Sequence, residues 1–325
     1  MAGKYLKHPV LFFLSASAAI VSIEAESVVD TDKPSEYYDG ANYEKLGLIA
    51  SGSFGTVSKI EEKKTMEVYV LKTFLAGSRA VYAHAENEIN ALKQLDHENI
   101  VKMVACSDIR NKQERDGPVH IVLEHMPCDL HRAIQNHPEI KENTREILRQ
   151  VLKGIAHIHG KKLAHGDLKP ENILIDFKTM TVKICDFGCC CGVEEEKNIS
   201  GETMDGYRQD ILSIVYLMVR LYLGESFSDW ISLSMFIRID ELERFVKAKE
   251  SGVILDNRLG TLYKKMEGVV SENGLGLFLK LIASENAGAY TTAAEALEHP
   301  FFDGVRELDQ SKQKREEGCP GQFLI

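Results

Sequence analysis

Apolar residues fall at two spacings along this chain. Ile147, Leu148, Val151, Leu152, Ile155 and Ile158 form one helical stripe. Asn143-Thr144-Arg145-Glu146 ahead of it has the form of a capping box, and Gly160 supplies a stop. Together they predict a long amphipathic helix over 144–160. A second helix is predicted over Ala85–Leu95, where Ile89, Leu92 and Leu95 share a face and Glu88 lies one position outside it. Tyr69-Val70-Leu71-Lys72, flanked by Glu67-Val68 and Thr73-Phe74, carries the β-branched and aromatic residues of a strand. Thr181–Cys185 reads as a second, shorter strand. Near the start, Lys4, Lys7 and His8 precede an apolar run from Val10 to Ile23, closed by Glu24-Ala25. A basic start, a short apolar run and small residues are the shape of a secretory signal or an anchor, the run being short for a membrane span. The alternative is an N-terminal extension packed on the body of the protein. Val28–Gly40 is polar and acidic, as in a linker, and Gln310–Glu317 reads as a frayed helix or disordered tail.

Composition narrows the partners. The 325 residues are 44% hydrophobic and 27% charged, ordinary values for a globular protein. A net charge of −10 without a long basic run argues against nucleic-acid binding. Membrane contact is expected only if the N-terminal apolar segment is retained. Seven cysteines, an odd number, do not suggest a full disulfide framework. Cys189-Cys190-Cys191 lacks the C-x₂-C spacing of zinc sites. Free thiols fit a cytoplasmic or cytosol-like, reducing compartment. A chain secreted through the N-terminal signal would meet such conditions inside a host cell.

The chemistry concentrates in His165-Gly166-Asp167-Leu168-Lys169-Pro170-Glu171-Asn172. An Asp can accept a hydroxyl proton, a Lys can neutralise a transferring phosphoryl group, and an Asn can ligate Mg²⁺. This stretch resembles the catalytic loop of the eukaryotic protein kinases, and other segments resemble that family in the same order. Ile49-Ala50-Ser51-Gly52-Ser53-Phe54-Gly55-Thr56-Val57 resembles the glycine-rich loop over the ATP phosphates. Lys72 matches the strand lysine at the α- and β-phosphates, and Glu88 the glutamate that pairs with it. Ile121–Met126 resembles the strand and hinge at the adenine, with Leu123 as gatekeeper and the Glu124 and Met126 backbones as purine contacts. Asp129 stands either at the ribose edge or as a helix N-cap before Leu130. Asp186-Phe187-Gly188 matches the metal-binding segment. Thr292–Phe302 resembles the last helices, with His299 structural.

The resemblance implies an α+β, two-lobed kinase fold with a small β-rich N-lobe holding one helix and a larger helical C-lobe. The implied domains are an extension at 1–42, an N-lobe at 43–124, a C-lobe at 125–303 and a tail at 304–325. It implies a serine/threonine protein kinase using ATP and Mg²⁺ on a protein substrate that the sequence does not identify. Asp167 and Lys169 would be catalytic, and Asn172 and Asp186 would bind metal. Ile49, Ala50, Gly52, Ser53, Gly55, Val57, Lys72, Glu88, Glu124 and Met126 would bind ATP.

The chain also departs from the family. Ala50 replaces the first loop glycine, and Gly166 stands where an Arg is usual. No Ala-Pro-Glu motif lies between Asp186 and Asp210, and Tyr290 occupies the place of its Arg partner. Both ends of one ion pair are missing together. The short segment leads us to expect an enzyme not switched by phosphorylation at Ser200, Thr203 or Tyr207. Two other readings stay open: a pseudokinase scaffold, and a small-molecule phosphotransferase of the aminoglycoside or choline kinase type.

Overall fold

The computed structural model describes residues 37–109, 117–192, 206–224, 244–245, 247–249, 251–253, 258–285 and 289–303. The N-terminal apolar run, Ser200, Thr203 and the charged tail lie outside these residues.

Alternation along the first strands builds an antiparallel sheet. β1 (Tyr43–Ser51), β2 (Gly55–Glu62) and β3 (Val68–Phe74) pair in sequence. After α1 (Arg79–Leu92) come β4 (Met103–Cys106) and β5 (Val119–Glu124), giving the order β1-β2-β3-β5-β4. Ile60, Leu71, Ala105 and Val122 bury on one face, beneath Tyr38, Tyr43 and Tyr69. Phe74, Ile121 and Leu123 point the other way, into the main core with Ala85, Ile89 and Leu92 of α1. Helix α1 starts earlier than its apolar stripe predicts, because Ser78 caps it through the Val81 N–H. It also stops at Leu92, leaving Leu95 in the following turn.

Beyond β5 the chain becomes mainly helical. β6 (Cys128–Asp129), β8 (Ile173–Asp176) and β9 (Thr181–Ile184) form a small sheet in the order β6-β8-β9. The helices are α2 (Leu130–Asn136), α3 (Glu139–Glu142), α4 (Thr144–Gly160) and α5 (Gly206–Leu223). They continue as α6 (Arg258–Glu267), α7 (Glu272–Ile282) and α8 (Ala293–Leu297). Two-residue strands β7 (Leu163–Ala164) and β10 (Cys191–Gly192) pair with each other, as do β11 (Ser284–Glu285) and β12 (Ala289–Tyr290). All six predicted apolar residues of α4 are buried. Each contributes about 1.5–3 kcal/mol relative to exposure. Among the described residues no helix is long and apolar enough to cross a membrane.

The capping box predicted at Asn143 does not form. The Asn143 amide donates back to the Glu139 carbonyl, and the Thr144 hydroxyl donates to the Ile140 and Lys141 carbonyls. Glu146 instead holds Arg149 and Gln150. The physical reason is α3: its carbonyls immediately precede α4 and compete for the same polar side chains. A capping box does form at Thr292 and Glu295, at the start of α8. Helix α4 ends at Gly160 as predicted, but Lys162, at φ 57, takes the left-handed turn.

Two buried polar contacts join distant segments. The Asn99 amide donates to Gln150 Oε1 and to the Val182 carbonyl, both at 2.9 Å. Beside it, Val101 N–H donates to Ile184 and Ile184 N–H to Asn99, each at 2.9 Å. On the far side, the Arg208 guanidinium of α5 donates to the carbonyls of Leu281 at 2.9 Å and Ile282 at 2.8 Å. It satisfies the open C-terminal end of α7.

Candidate active site

Strand β3 and helix α1 deliver the first cluster. Lys72 lies opposite Val57 on one side and Ile121 on the other, in the middle of the sheet. Its Nζ is 2.6 Å from Glu88 Oε2 and 2.7 Å from Asp186 Oδ1. Burial opposes the charge on Lys72, but Glu88 and Asp186 outweigh it and hold the pKa above the usual lysine value. Burial would raise the Asp186 carboxyl, yet His84 and Lys72 hold it well below the usual carboxylate range. Glu88 is fully buried and its carboxyl is pushed up by burial, with Lys72 pulling the other way. Among the described residues its Oε1 has no hydrogen-bond donor.

Asp167, Lys169 and Asn172 form the second cluster. Lys169 Nζ is 2.6 Å from Asp167 Oδ2, and Asn172 Nδ2 donates to the same oxygen at 3.1 Å and to the Asp167 carbonyl at 2.8 Å. Both amide hydrogens being spent on Asp167, the Asn172 Oδ1 is turned away from it. Burial lowers the Lys169 pKa, but the Asp167 contact reverses this and the net shift is upward.

Residue 185 ties the clusters together. Cys185 N–H donates to the Asn172 carbonyl at 2.9 Å, and the Cys185 carbonyl lies 3.0 Å from His165 Nε2. Asp186 is therefore placed beside the loop by its neighbour's backbone, and its charge reaches Lys169. Asp186 itself adopts φ 67, ψ 72, a left-handed conformation for a non-glycine residue. That strain is carried where the buried Phe187 ring packs edge-on against His165, centroids 5.1 Å apart.

Several supporting residues were not read from the sequence. Asp210 of α5 is fully buried and accepts from the N–H groups of His165 at 2.8 Å and Gly166 at 3.0 Å. His159 Nε2 lies 3.0 Å from the same carboxylate. His84 of α1 is 3.8 Å from Asp186 Oδ1. Burial lowers its pKa, but Asp186 and Cys189 outweigh that and raise it to about 9. Their partners are backbone groups or residues far away in sequence, so no local pattern marks them.

Gly166 has a backbone reason to be glycine. Its φ is +77, and an added Cβ would sit 2.8 Å from the Cys189 carbonyl oxygen. Cys190 is buried and Cys191 pairs with Ala164, so the cysteine run packs its backbone on the catalytic loop.

The glycine-rich segment is the β1–β2 hairpin. Ala50 pairs with Val57 inside it, so alanine there continues a strand. Gly55 is packed so closely on β3 that a Cβ would meet the Thr73 carbonyl oxygen at 1.9 Å. A Cβ at Gly52 would meet nothing within 4 Å. Ile49 is exposed, and so are Ser53 and Phe54 at the tip. At the hinge, Leu123 is buried and Glu124 N–H donates to the Lys102 carbonyl at 3.0 Å. The Glu124 side chain accepts from Lys102 N–H and Lys183 Nζ, both at 2.7 Å. Met126 follows β5, half-buried. Asp129 caps α2 through the Arg132 N–H at 2.9 Å, the N-cap of the two roles open to it.

Comparison with known families agrees with this geometry. The family model of the protein kinase domain matches residues 43–302. The chain belongs to the protein kinase family. The kinase has the β-sheet N-lobe and helical C-lobe of that family, which implies ATP-dependent phosphotransfer.

Proposed function

We propose that this kinase transfers the γ-phosphoryl group of Mg·ATP to a serine or threonine hydroxyl of a protein. The observation that supports the reading is the Cys185 N–H bond to the Asn172 carbonyl, which ties the segment carrying Asp186 to the loop of Asp167 and Lys169. Asp167 orients the hydroxyl and accepts its proton, while Lys169 neutralises charge on the phosphoryl group in flight. Lys72, aimed by Glu88, holds the α- and β-phosphates. The hairpin from Ile49 to Val57 covers them with backbone N–H groups of its tip at Ser53, the Gly52 N–H being held by the Gly55 carbonyl at 2.9 Å. Main-chain groups of Glu124 and Met126 bond the purine. With the Glu124 N–H engaged by Lys102, its carbonyl makes that contact.

The donor set fits Mg²⁺. Asp186 is held ionised and the Asn172 amide oxygen is left free of Asp167, so the two would supply hard oxygen ligands. The metal would supply charge neutralisation on the phosphate oxygens. Substrate choice of the serine/threonine type rests on Lys169, two residues after Asp167.

We further read the enzyme as independent of activation-loop phosphorylation. Gly166 offers no counter-charge for a phosphate, and the Tyr207 ring leans at 36° against His159 with centroids 4.4 Å apart. Replacing Ser200 and Thr203 by Ala and Tyr207 by Phe should leave the rate unchanged. A near-total loss would refute this.

The decisive assay offers labelled ATP and Mg²⁺ with a basic protein, an aminoglycoside and choline. Phosphoserine or phosphothreonine in the protein, abolished by Asp186→Ala, is the expected result. Label in a small molecule, or nucleotide binding without transfer, would overturn the reading.

A further inference from the structure

His84 sits where three parts of the cleft meet. It lies one helical turn before Glu88, so both side chains leave the same face of α1. Its ring stacks on Phe54 at the tip of the glycine-rich hairpin, centroids 4.4 Å apart and planes at 8°. Its Nε2 is 3.8 Å from Asp186 Oδ1, the oxygen that Lys72 also holds. A Cβ built on Gly188 would lie 1.9 Å from that nitrogen, so the ring occupies the space a side chain would take. Asn87, three residues further along the helix, donates to the Gly188 carbonyl at 3.4 Å. Phe54 is 45% exposed while the His84 side chain is only 15% exposed. The histidine is thus the fixed member of the stack and the hairpin tip the member it anchors.

We infer that His84 is a positioning residue for phosphoryl transfer, setting the hairpin tip and the Asp186 carboxylate together from one side chain. The inference rests on the phosphotransferase reading for its kinetic consequence, though not for its structural one. The two jobs use different properties of the ring. Its flat face holds Phe54, a contact of the aromatic stacking kind. Its Nε2 edge faces Asp186 Oδ1 at 3.8 Å.

Two substitutions separate these jobs. His84→Phe keeps a ring for Phe54 and removes the polar edge. His84→Gln keeps a polar terminus near Asp186 and removes the stack. Amide hydrogen exchange on the unliganded protein is expected to rise in residues 50–56 for His84→Gln and in residues 185–190 for His84→Phe. In steady-state kinetics, His84→Gln should raise the KM for ATP about 3- to 10-fold with kcat nearly kept. His84→Phe should lower kcat about 10-fold with KM nearly kept, as for loss of one polar contact at the Asp186 carboxylate.

Phe54→Ala, a change at an exposed tip that the fold tolerates, gives the check that does not depend on replacing His84. It should reproduce the exchange pattern of His84→Gln, and adding His84→Gln to it should change residues 50–56 no further. Additive effects would overturn the inference. So would identical exchange patterns in the two His84 variants, or variants indistinguishable from wild type. If the wild-type protein transfers no phosphoryl group, the proposed function fails, while the exchange pattern still decides the role of His84.

Discussion

Among the described residues, Glu88 in the upper lobe and Asp210 in the lower are the carboxylates that lie wholly inside the protein, and their surroundings are opposite. Asp210 accepts at both oxygens, from two backbone N–H groups of the catalytic loop and from His159. Glu88 has Lys72 on one oxygen and nothing on the other. A carboxylate saturated by fixed donors is expensive to disturb and holds its surroundings rigid. One that depends on a long lysine shared with Asp186 is cheap to neutralise, but its loss misaims that lysine. The lower site is built to keep a loop in place, and the upper one to let an arrangement be made or unmade.

The sharpest way to break this contrast is at the lower site. Asp210→Ala strips the acceptor from three buried or half-buried donors and should cost about 3–5 kcal/mol, read by urea unfolding. Glu88→Gln should do the reverse. Unfolding should shift by less than about 1 kcal/mol, because burial already penalises the Glu88 charge. The phosphotransfer rate should drop about 100-fold, equivalent to about 2.7 kcal/mol. If Glu88→Gln unfolds the protein as readily as Asp210→Ala, the distinction between the two sites is lost.

A milder test probes the loop that Asp210 holds. Gly166→Ala must accept a positive φ and a contact with the Cys189 carbonyl, and should cost about 1–3 kcal/mol in thermal unfolding. The smallest effect is expected at the contact between lobes, where His97 and His157 lie with ring centroids 5.0 Å apart. Burial lowers the pKa of both, and neighbouring positive charge adds to it: His157 acting on His97, and Lys161 on His157. In the unfolded chain they take up protons near the ordinary histidine value of about 6.5. Their contribution to stability is therefore complete above that pH and lost as pH falls below it. The double change His97→Gln, His157→Gln should flatten that part of the stability–pH curve, measured as a difference from wild type.

What the sequence made legible was the chemistry carried by motif. Lys72, Glu88, Asp167, Lys169, Asn172 and Asp186 were found because each sits in a short run whose neighbours are also constrained. Helix α4 was found because six apolar residues repeat at its period. The supporting polar network stayed hidden. Asp210 works through backbone N–H groups 44 and 45 residues away, and such partners leave no side-chain signature. His84 falls just before the helix predicted from Ala85, and its partners Phe54 and Asp186 are distant in sequence. The error at Asn143 has the same origin: a capping pattern was read locally, and the carbonyls of α3 won the donors. Loss of the Ala-Pro-Glu motif and its Arg partner was readable as a paired absence. That Arg208 would stitch α5 to the end of α7 was not, because its acceptors are main-chain carbonyls.

The Asn99 junction has a mechanical consequence. The turn leaving α1 is stitched to α4 through Gln150 and to β9 through Val182 and Ile184, so its footing belongs to the lower half. Widening of the nucleotide cleft must then be taken up above residues 99–101. The strands that carry Lys72 and the hairpin tip swing, while the root of the helix that carries Glu88 stays put as the pivot.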